Sequence, residues 1–417
     1  MKKGLILFSL SICATLIAQT LTLQESIDKT LSNHPDIKSF KLKIEQSHAG
    51  YKATYADYLP QVDLQANYNV IQTFVFPVNG SFNTENDNGW NAGVSVKQKI
   101  WDFEKTSSKI DASKIDEKIS KLSLDDLKSL LVYKVKSLYA LMVVQKDAIK
   151  VRQKDLESKK AYYKQALALV ENGLKTKADA SRFLSSVYIA QDNLAIANAS
   201  YKKAKQTLSL YMGETISKDV ELQSFILKQN FEEDNNLIQE IMQSNYQIKI
   251  YSDTIEKNKL IHKSTKASHF GSIDAIGSYT HIDTLNSYDS KVAGVTLNIP
   301  LYSGGRLSAE VQKAKISQQI ATEQKASKLL SIIDEANSLM IDIKRYENTI
   351  SAKKAQLKSA MSTKDVLEGR YKEGLSTYIE VLDATSLVLN AELGLLEAEY
   401  QKSMAINQIE YLKGKIL

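Results

Sequence analysis

Two hydrophobic periods take turns along the chain, and each occurs twice. Val62, Leu64, Ala66, Tyr68 and Val70 alternate with Gln61, Asp63, Gln65, Asn67 and Asn69, the period of a strand with one apolar and one polar face. A second strand follows, in which Ala92, Val94, Val96 and Ile100 oppose Asn91, Ser95, Lys97 and Lys99. Later in the chain Ile273, Ala275 and Tyr279 repeat the pattern more loosely. There Val295, Leu297, Ile299 and Leu301 oppose Thr296 and Asn298. The alternation predicts strands at about 61–74, 90–100, 272–283 and 291–301.

After each strand pair the period changes to seven. Val135, Met142, Ile149, Leu156, Tyr163 and Val170 fall at that interval, as do Val187, Leu194, Tyr201 and Leu208. Ile343, Ile350, Leu357 and Tyr371 repeat it, with Lys364 breaking the series. Seven-residue spacing predicts helices wound around one another with a left-handed supercoil. The long helices are expected at about 103–170 and 305–370, each followed by a tight turn and a return helix, at 180–212 and 379–413. At 1.5 Å per residue the first would be about 100 Å long. A lone rod cannot bury its stripe, so antiparallel neighbours are required.

The order of elements is written twice. A shift of 211 takes Leu59-Pro60-Gln61-Val62-Asp63-Leu64 onto Phe270-Gly271-Ser272-Ile273-Asp274-Ala275, and Ala66-Asn67-Tyr68 onto Gly277-Ser278-Tyr279. Beyond one ten-residue difference the shift becomes 201, which takes Gly93-Val94-Ser95-Val96 onto Gly294-Val295-Thr296-Leu297 and Gly173-Leu174 onto Gly374-Leu375. A period near 200 is too long for a solenoid. It points to a duplicated half-protein, residues 19–226 and 227–417.

Composition narrows the class. Over 417 residues there are only 16 Gly and 4 Pro, which fits long uninterrupted helices. The net charge of +6 is small and scattered, giving no footprint for nucleic acid. Residues 1–18 read as a secretory signal, with Lys2 and Lys3 before an apolar run from Leu5 to Ala18. The single cysteine, Cys13, lies in that leader. A mature chain without cysteine excludes a disulfide framework, a thiolate metal site and a cysteine nucleophile. After the leader no run of about 18 apolar residues occurs, so no helix is expected to span a bilayer.

The strands then admit two readings. One is a soluble antiparallel sheet with a face on a core. The other is a membrane barrel with apolar residues toward lipid and polar residues toward water. The leader favours the barrel. So do the aromatic residues near the strand ends: Tyr55, Tyr58, Phe74, Phe76, Trp90, Trp101, Phe103, Phe270, Tyr288 and Tyr302. The lipid-facing set would be Val62, Leu64, Tyr68, Val94, Val96, Val295, Leu297 and Ile299. Four strands cannot close a barrel, for which about eight are the usual minimum. Open edges in lipid leave N–H and C=O groups unpaired. A membrane sheet of this size must therefore be shared by several chains.

These residues carry a resemblance. Leu21-Thr22-Leu23-Gln24-Glu25-Ser26-Ile27 with Asn33-His34-Pro35-Asp36-Ile37 resembles the first helix of the TolC family of outer-membrane efflux and secretion proteins. Tyr58-Leu59-Pro60-Gln61-Val62-Asp63-Leu64 resembles that family's helix-to-strand junction. Gly294 to Arg306 (GVTLNIPLYSGGR) is similar to its second strand-to-helix motif. Arg370-Tyr371-Lys372-Glu373-Gly374-Leu375 with Val381-Leu382-Asp383-Ala384 is similar to its tip. The resemblance implies a mainly α protein with membrane β: a homotrimer whose long coiled-coil helices form a barrel in the periplasm, continuous with a shared 12-stranded β-barrel in the outer membrane. It implies a mixed region near residues 213–235. It implies passive export, without enzymatic chemistry or cofactor, in partnership with a periplasmic adaptor and an inner-membrane RND or ABC transporter. Drugs, metal ions and proteins are all cargo within the family.

Candidate functional residues follow from the resemblance. Passage is expected to be controlled at the helical tips, Gly173 to Asp179 and Tyr371 to Asp383. Glu380 and Asp383 match positions where members carry acidic rings, and Asp179 and Tyr371 complete the candidate gate. Threefold repetition would place three or six carboxylates in a narrow mouth, favouring cations; ordinary solvated helix acids are the other reading. A family arginine two residues after the tip glycine is Ser376 here, and its first-repeat counterpart is Lys175. Gly173, Leu174, Gly374 and Leu375 are expected to make the turns and to meet the adaptor.

Other motifs carry less. Ser303-Gly304-Gly305-Arg306 opens a helix but lacks the spacing and Gly-Lys-Ser/Thr end of a phosphate loop. His34, His48, His262, His269 and His281 show no zinc spacing. A secreted coiled-coil scaffold or adhesin with a soluble sheet is the competing function.

Overall fold

The computed structural model describes residues 20–217, 220–223, 231 and 236–416. The expected leader with Cys13, and most of the segment from 224 to 235, lie outside the described residues. The chain divides into two compact units, and neither is a sequence repeat. One holds residues up to Ile37, Lys128–Leu237 and Asp334–Leu417; the other holds Lys38–Leu127 and Ile238–Ile333. Each repeat contributes to both.

The second of these units contains an antiparallel sheet of β2 (Gln61–Val78), β3 (Ser81–Trp101), β5 (Ser272–Asp283) and β6 (Ser287–Asn298), in the order β2-β3-β5-β6. Helix α2 (Pro35–Ala56) leads into β2, and the short α5 (Leu237–Ser244) is followed by α6 (Tyr246–Ala267), which leads into β5. The register aligns like with like. Val62 lies opposite Val96, which lies opposite Gly277, which lies opposite Ala293. On the other face Asp63 meets Ser95, and Ser95 meets Ser278. Gly93 makes this packing possible: a Cβ there would lie 2.4 Å from Thr280 Oγ1 and 2.7 Å from the Tyr279 carbonyl.

Three strands differ from expectation, β2 among them, which runs to Val78 rather than ending near 74. β3 begins at Ser81 rather than near 90, and β6 spans 287–298 rather than 291–301. The early start of β3 makes the β2–β3 hairpin much longer than β5–β6 and accounts for the ten-residue difference between the repeats. It turns at Asn79 (φ 50°) and Gly80 (φ 81°), the paired positive φ values of a two-residue turn that follows strand twist. β6 ends sooner because Pro300 has no N–H to continue a ladder.

The other unit is helical, with a two-residue parallel pair of β1 (Thr20–Leu21) and β4 (Glu221–Leu222). Long helices α3 (Lys105–Glu171) and α7 (Arg306–Lys372) are divided between the units. α4 (Lys177–Met212) and α8 (Tyr378–Leu412) pack in this one, and α1 (Leu23–Asn33) closes its edge. Every residue of the seven-residue series is buried or half-buried, including Lys364. A second stripe at the same interval is made of alanines, Ala190, Ala197 and Ala204 on α4 and Ala384, Ala391, Ala398 and Ala405 on α8, all buried. Small side chains there let helices approach closely while the larger stripe interlocks. Tyr139, fully buried on α3, ties the two-stranded pair to the bundle. Its hydroxyl donates to the Leu21 carbonyl at 2.6 Å and accepts from the Gln223 N–H at 2.9 Å.

Candidate functional site: the helical tips and the sheet face

The two tips are built alike from backbone rules. α3 ends with Gly173 in the left-handed region (φ 73°), its N–H on the Val170 carbonyl at 3.0 Å and the Leu174 N–H on Leu169 at 2.9 Å. α7 ends with Gly374 (φ 74°), its N–H on Tyr371 at 3.1 Å and the Leu375 N–H on Arg370 at 2.8 Å. This pair of bonds satisfies carbonyls that a helix end leaves free, and glycine adopts the required φ without steric cost. Leu174 and Leu375 are each 68% exposed.

The return helices begin with matching capping boxes. Asp179 accepts from the Thr176 N–H at 3.0 Å and hydroxyl at 2.9 Å, while the Thr176 hydroxyl accepts from the Asp179 N–H at 3.3 Å. Glu380 accepts from the Thr377 N–H at 2.6 Å and hydroxyl at 3.0 Å, with the reciprocal bond at 3.3 Å. The backbone donor of Thr176 holds the Asp179 carboxyl below the usual aspartate range. Thr377 does the same for Glu380. Asp383 is exposed.

Beneath the turns, Phe183 of α4 inserts among three tyrosines. Its ring lies 6.0 Å from Tyr162, 5.9 Å from Tyr371 and 6.1 Å from Tyr378. Val381, Ala166 and Ala180 complete this cluster. Tyr371 is 1% exposed, and its hydroxyl is buried without a hydrogen-bond partner among the described residues. Burial, and then the nearby Asp179, push that phenol up. Lys175 stands over the Tyr371 ring at 5.6 Å. Side-chain links join the first hairpin to the second here: the Tyr162 hydroxyl donates to Glu368 and accepts from the Thr385 hydroxyl at 3.5 Å, and Arg182 donates to the Tyr378 hydroxyl. Ser376 is buried, with its hydroxyl donating to the Leu367 carbonyl at 3.1 Å. Phe183, Arg182 and Tyr378 were not among the candidates. Phe183 lies seven residues from Ala190 on the alanine stripe, which is the signal that could have found it.

Seven of the eight candidate lipid-facing residues share one face of the sheet, while Ile299 lies just past the end of β6; all eight are exposed, from 39% for Val96 to 78% for Leu64. Aromatic rings flank that face. Trp101, Phe103 and Phe270 form a chain at the helical end, with centroid separations of 6.1 and 5.4 Å. Tyr68 lies opposite Trp90 toward the other end. On this face β6 becomes charged at Lys291 and Asp289, while β2 stays apolar through Val70. The apolar band therefore runs obliquely across the strands, as it does where strands tilt against a membrane. No helix among the described residues is long and apolar enough to cross a membrane.

A duplicated pair of long helical hairpins carrying a four-stranded sheet is the fold of solved outer-membrane channels. The chain superposes on a crystal structure of CusC with a TM-score of 0.84 at 18% identity, covering 94% of this chain and 91% of that one. VceC of Vibrio cholerae gives a TM-score of 0.82 at 14% identity, with 94% and 96% covered. In sequence, the chain is 24% identical to outer membrane protein TolC of Escherichia coli K12 over 446 aligned positions, 98% of this chain and 85% of the relative. The outer membrane efflux protein family matches residues 26–214 and 238–415, one segment per repeat. The chain belongs to that family.

Proposed function

We propose that this protein is the outer-membrane exit duct of a tripartite efflux pump or type I secretion system. Three copies close one 12-stranded barrel, and their helices form a periplasmic tunnel that passively conducts cargo. One observation carries this reading. The sheet exposes a broad apolar face, ends in two free edges at β2 and β6, and has a polar opposite face. Lipid covers such a face, and pairing β2 of one copy with β6 of the next satisfies the edges. A periplasmic adaptor and an inner-membrane RND or ABC transporter complete the assembly, with the adaptor docking on tips exposed at Leu174 and Leu375.

Asp179 and Glu380 act first as helix caps in this reading, and as ring charges through threefold repetition. Asp383, exposed one turn beyond Glu380, presents its carboxylate to the tunnel. Purified protein in a planar bilayer tests the duct directly. Discrete conductance steps that become less cation-selective in Glu380→Gln/Asp383→Asn support it. Recovery of the protein in the soluble periplasm without detergent overturns it in favour of a secreted scaffold.

A further inference from the structure

A cavity of about 340 Å³ lies between α3, α7 and α8, above the tip cluster. Its wall has two characters. Val151, Met361, Val388 and Leu389 supply apolar surface. Asp155, Glu157, Asp365 and Glu392 supply four acids, against Lys154 and Lys364 as bases. Asp155 differs from the other acids in being buried, at 8% exposure, and its Oδ1 has no hydrogen-bond donor among the described residues. The cation beside that oxygen, Lys159, is 3.9 Å away, outside hydrogen-bond range.

An unmet buried carboxylate oxygen is costly, and a donor that reaches it gains a charge-assisted bond in a poorly hydrated setting. Burial also pushes the Asp155 carboxyl up, against the pull of Lys159. An anion is disfavoured by the excess of acids. No group of three or more His, Cys, Asp or Glu among the described residues has metal-holding geometry. A charged donor on an apolar body satisfies both the oxygen and the wall.

We propose that this cavity binds a small organic cation, a hydrophobic primary amine, with its ammonium on Asp155 and its apolar body against Met361, Val388 and Leu389. The volume suits a ligand at the lower end of the usual range for small-molecule pockets. All of its lining residues belong to one chain. A duct needs no such site to conduct, so occupancy adds something new: it joins α3 of the first hairpin to α7 and α8 of the second through a ligand.

The test is calorimetric titration of the full-length protein in detergent with 4-phenylbutylamine, using 4-phenylbutanol and 4-phenylbutyrate as neutral and anionic controls. The amine is expected to bind once per chain and the controls not to bind. Asp155→Asn is expected to weaken the amine at least about tenfold, the scale of losing a buried charged hydrogen-bond partner. Met361→Trp, at a half-exposed position, is expected to fill the cavity and abolish binding, and it decides the matter if Asp155→Asn does not fold. Equal binding of amine and alcohol, or wild-type affinity in Met361→Trp, would overturn the assignment.

Discussion

Thr377 and Glu380 hold one another across the first turn of α8, each side chain accepting from the other's backbone N–H. The same arrangement joins Thr176 and Asp179 at the start of α4. Because the folded state lowers both carboxyl pKa values from their ordinary 4.5 and 3.8, the stabilisation is fully present above those ordinary values. It is lost as the pH falls through the lower folded-state values. Protection of the tip amides against hydrogen exchange, taken relative to the intrinsic rate at each pH, should therefore fall in that acid window. Glu380→Gln should flatten the dependence at the second tip, and Thr377→Ala should cost about 1 kcal/mol at neutral pH. Identical acid profiles for wild type and Glu380→Gln would remove the cap from the account.

Tyr371 leads to a prediction of the opposite sign. Its hydroxyl is buried and unpartnered among the described residues, and an unsatisfied buried hydroxyl costs about 1–3 kcal/mol. Tyr371→Phe should preserve the packing on Phe183 and raise the thermal midpoint. A lower midpoint would mean that the hydroxyl finds its partner on a neighbouring copy.

Gly374 and Gly271 separate two reasons for glycine. A Cβ at Gly374 would meet nothing within 4 Å, so Gly374→Ala costs only its left-handed φ of 74°, about 1–2 kcal/mol. A Cβ at Gly271 would sit 1.9 Å from the Asn298 carbonyl. Gly271→Ala should disrupt the start of the β5–β6 ladder and sharply reduce recovery of folded protein. Equal recovery of the two variants by circular dichroism would contradict this.

Val295 and Thr296 are neighbours on opposite faces of β6. Val295 is 71% exposed on the apolar face. Val295→Arg should destabilise the membrane-inserted protein by about 2–4 kcal/mol if it lies near the bilayer centre, while Thr296→Arg should be tolerated. Denaturant unfolding in lipid vesicles measures both. Equal effects would argue against a lipid-facing sheet surface.

Much of this was legible in the sequence because it is periodic. Strand alternation placed Val62, Leu64, Val94 and Val295 on a shared face, and the series from Val135 to Val170 marked the packed side of α3. The start of β3 was not legible from alternation, since Ser81 to Gly89 is almost wholly polar and makes a ribbon with no buried face; the Asn79-Gly80 pair was its one signal. The β1–β4 pair was hidden because two residues carry no period. Contacts such as Arg182 with Tyr378 depend on how two hairpins pack, which local sequence does not encode. Glu380 was legible as a tip acid, but its bond to Thr377 gives it a structural role that the acidic-ring expectation did not include.

The central claim is that each chain supplies four strands to a barrel it cannot close alone. Native mass spectrometry of the detergent-extracted protein tests it most directly. Three chains per particle are predicted, persisting when the detergent is exchanged for lipid nanodiscs. A stable, folded single chain that needs no detergent would contradict it.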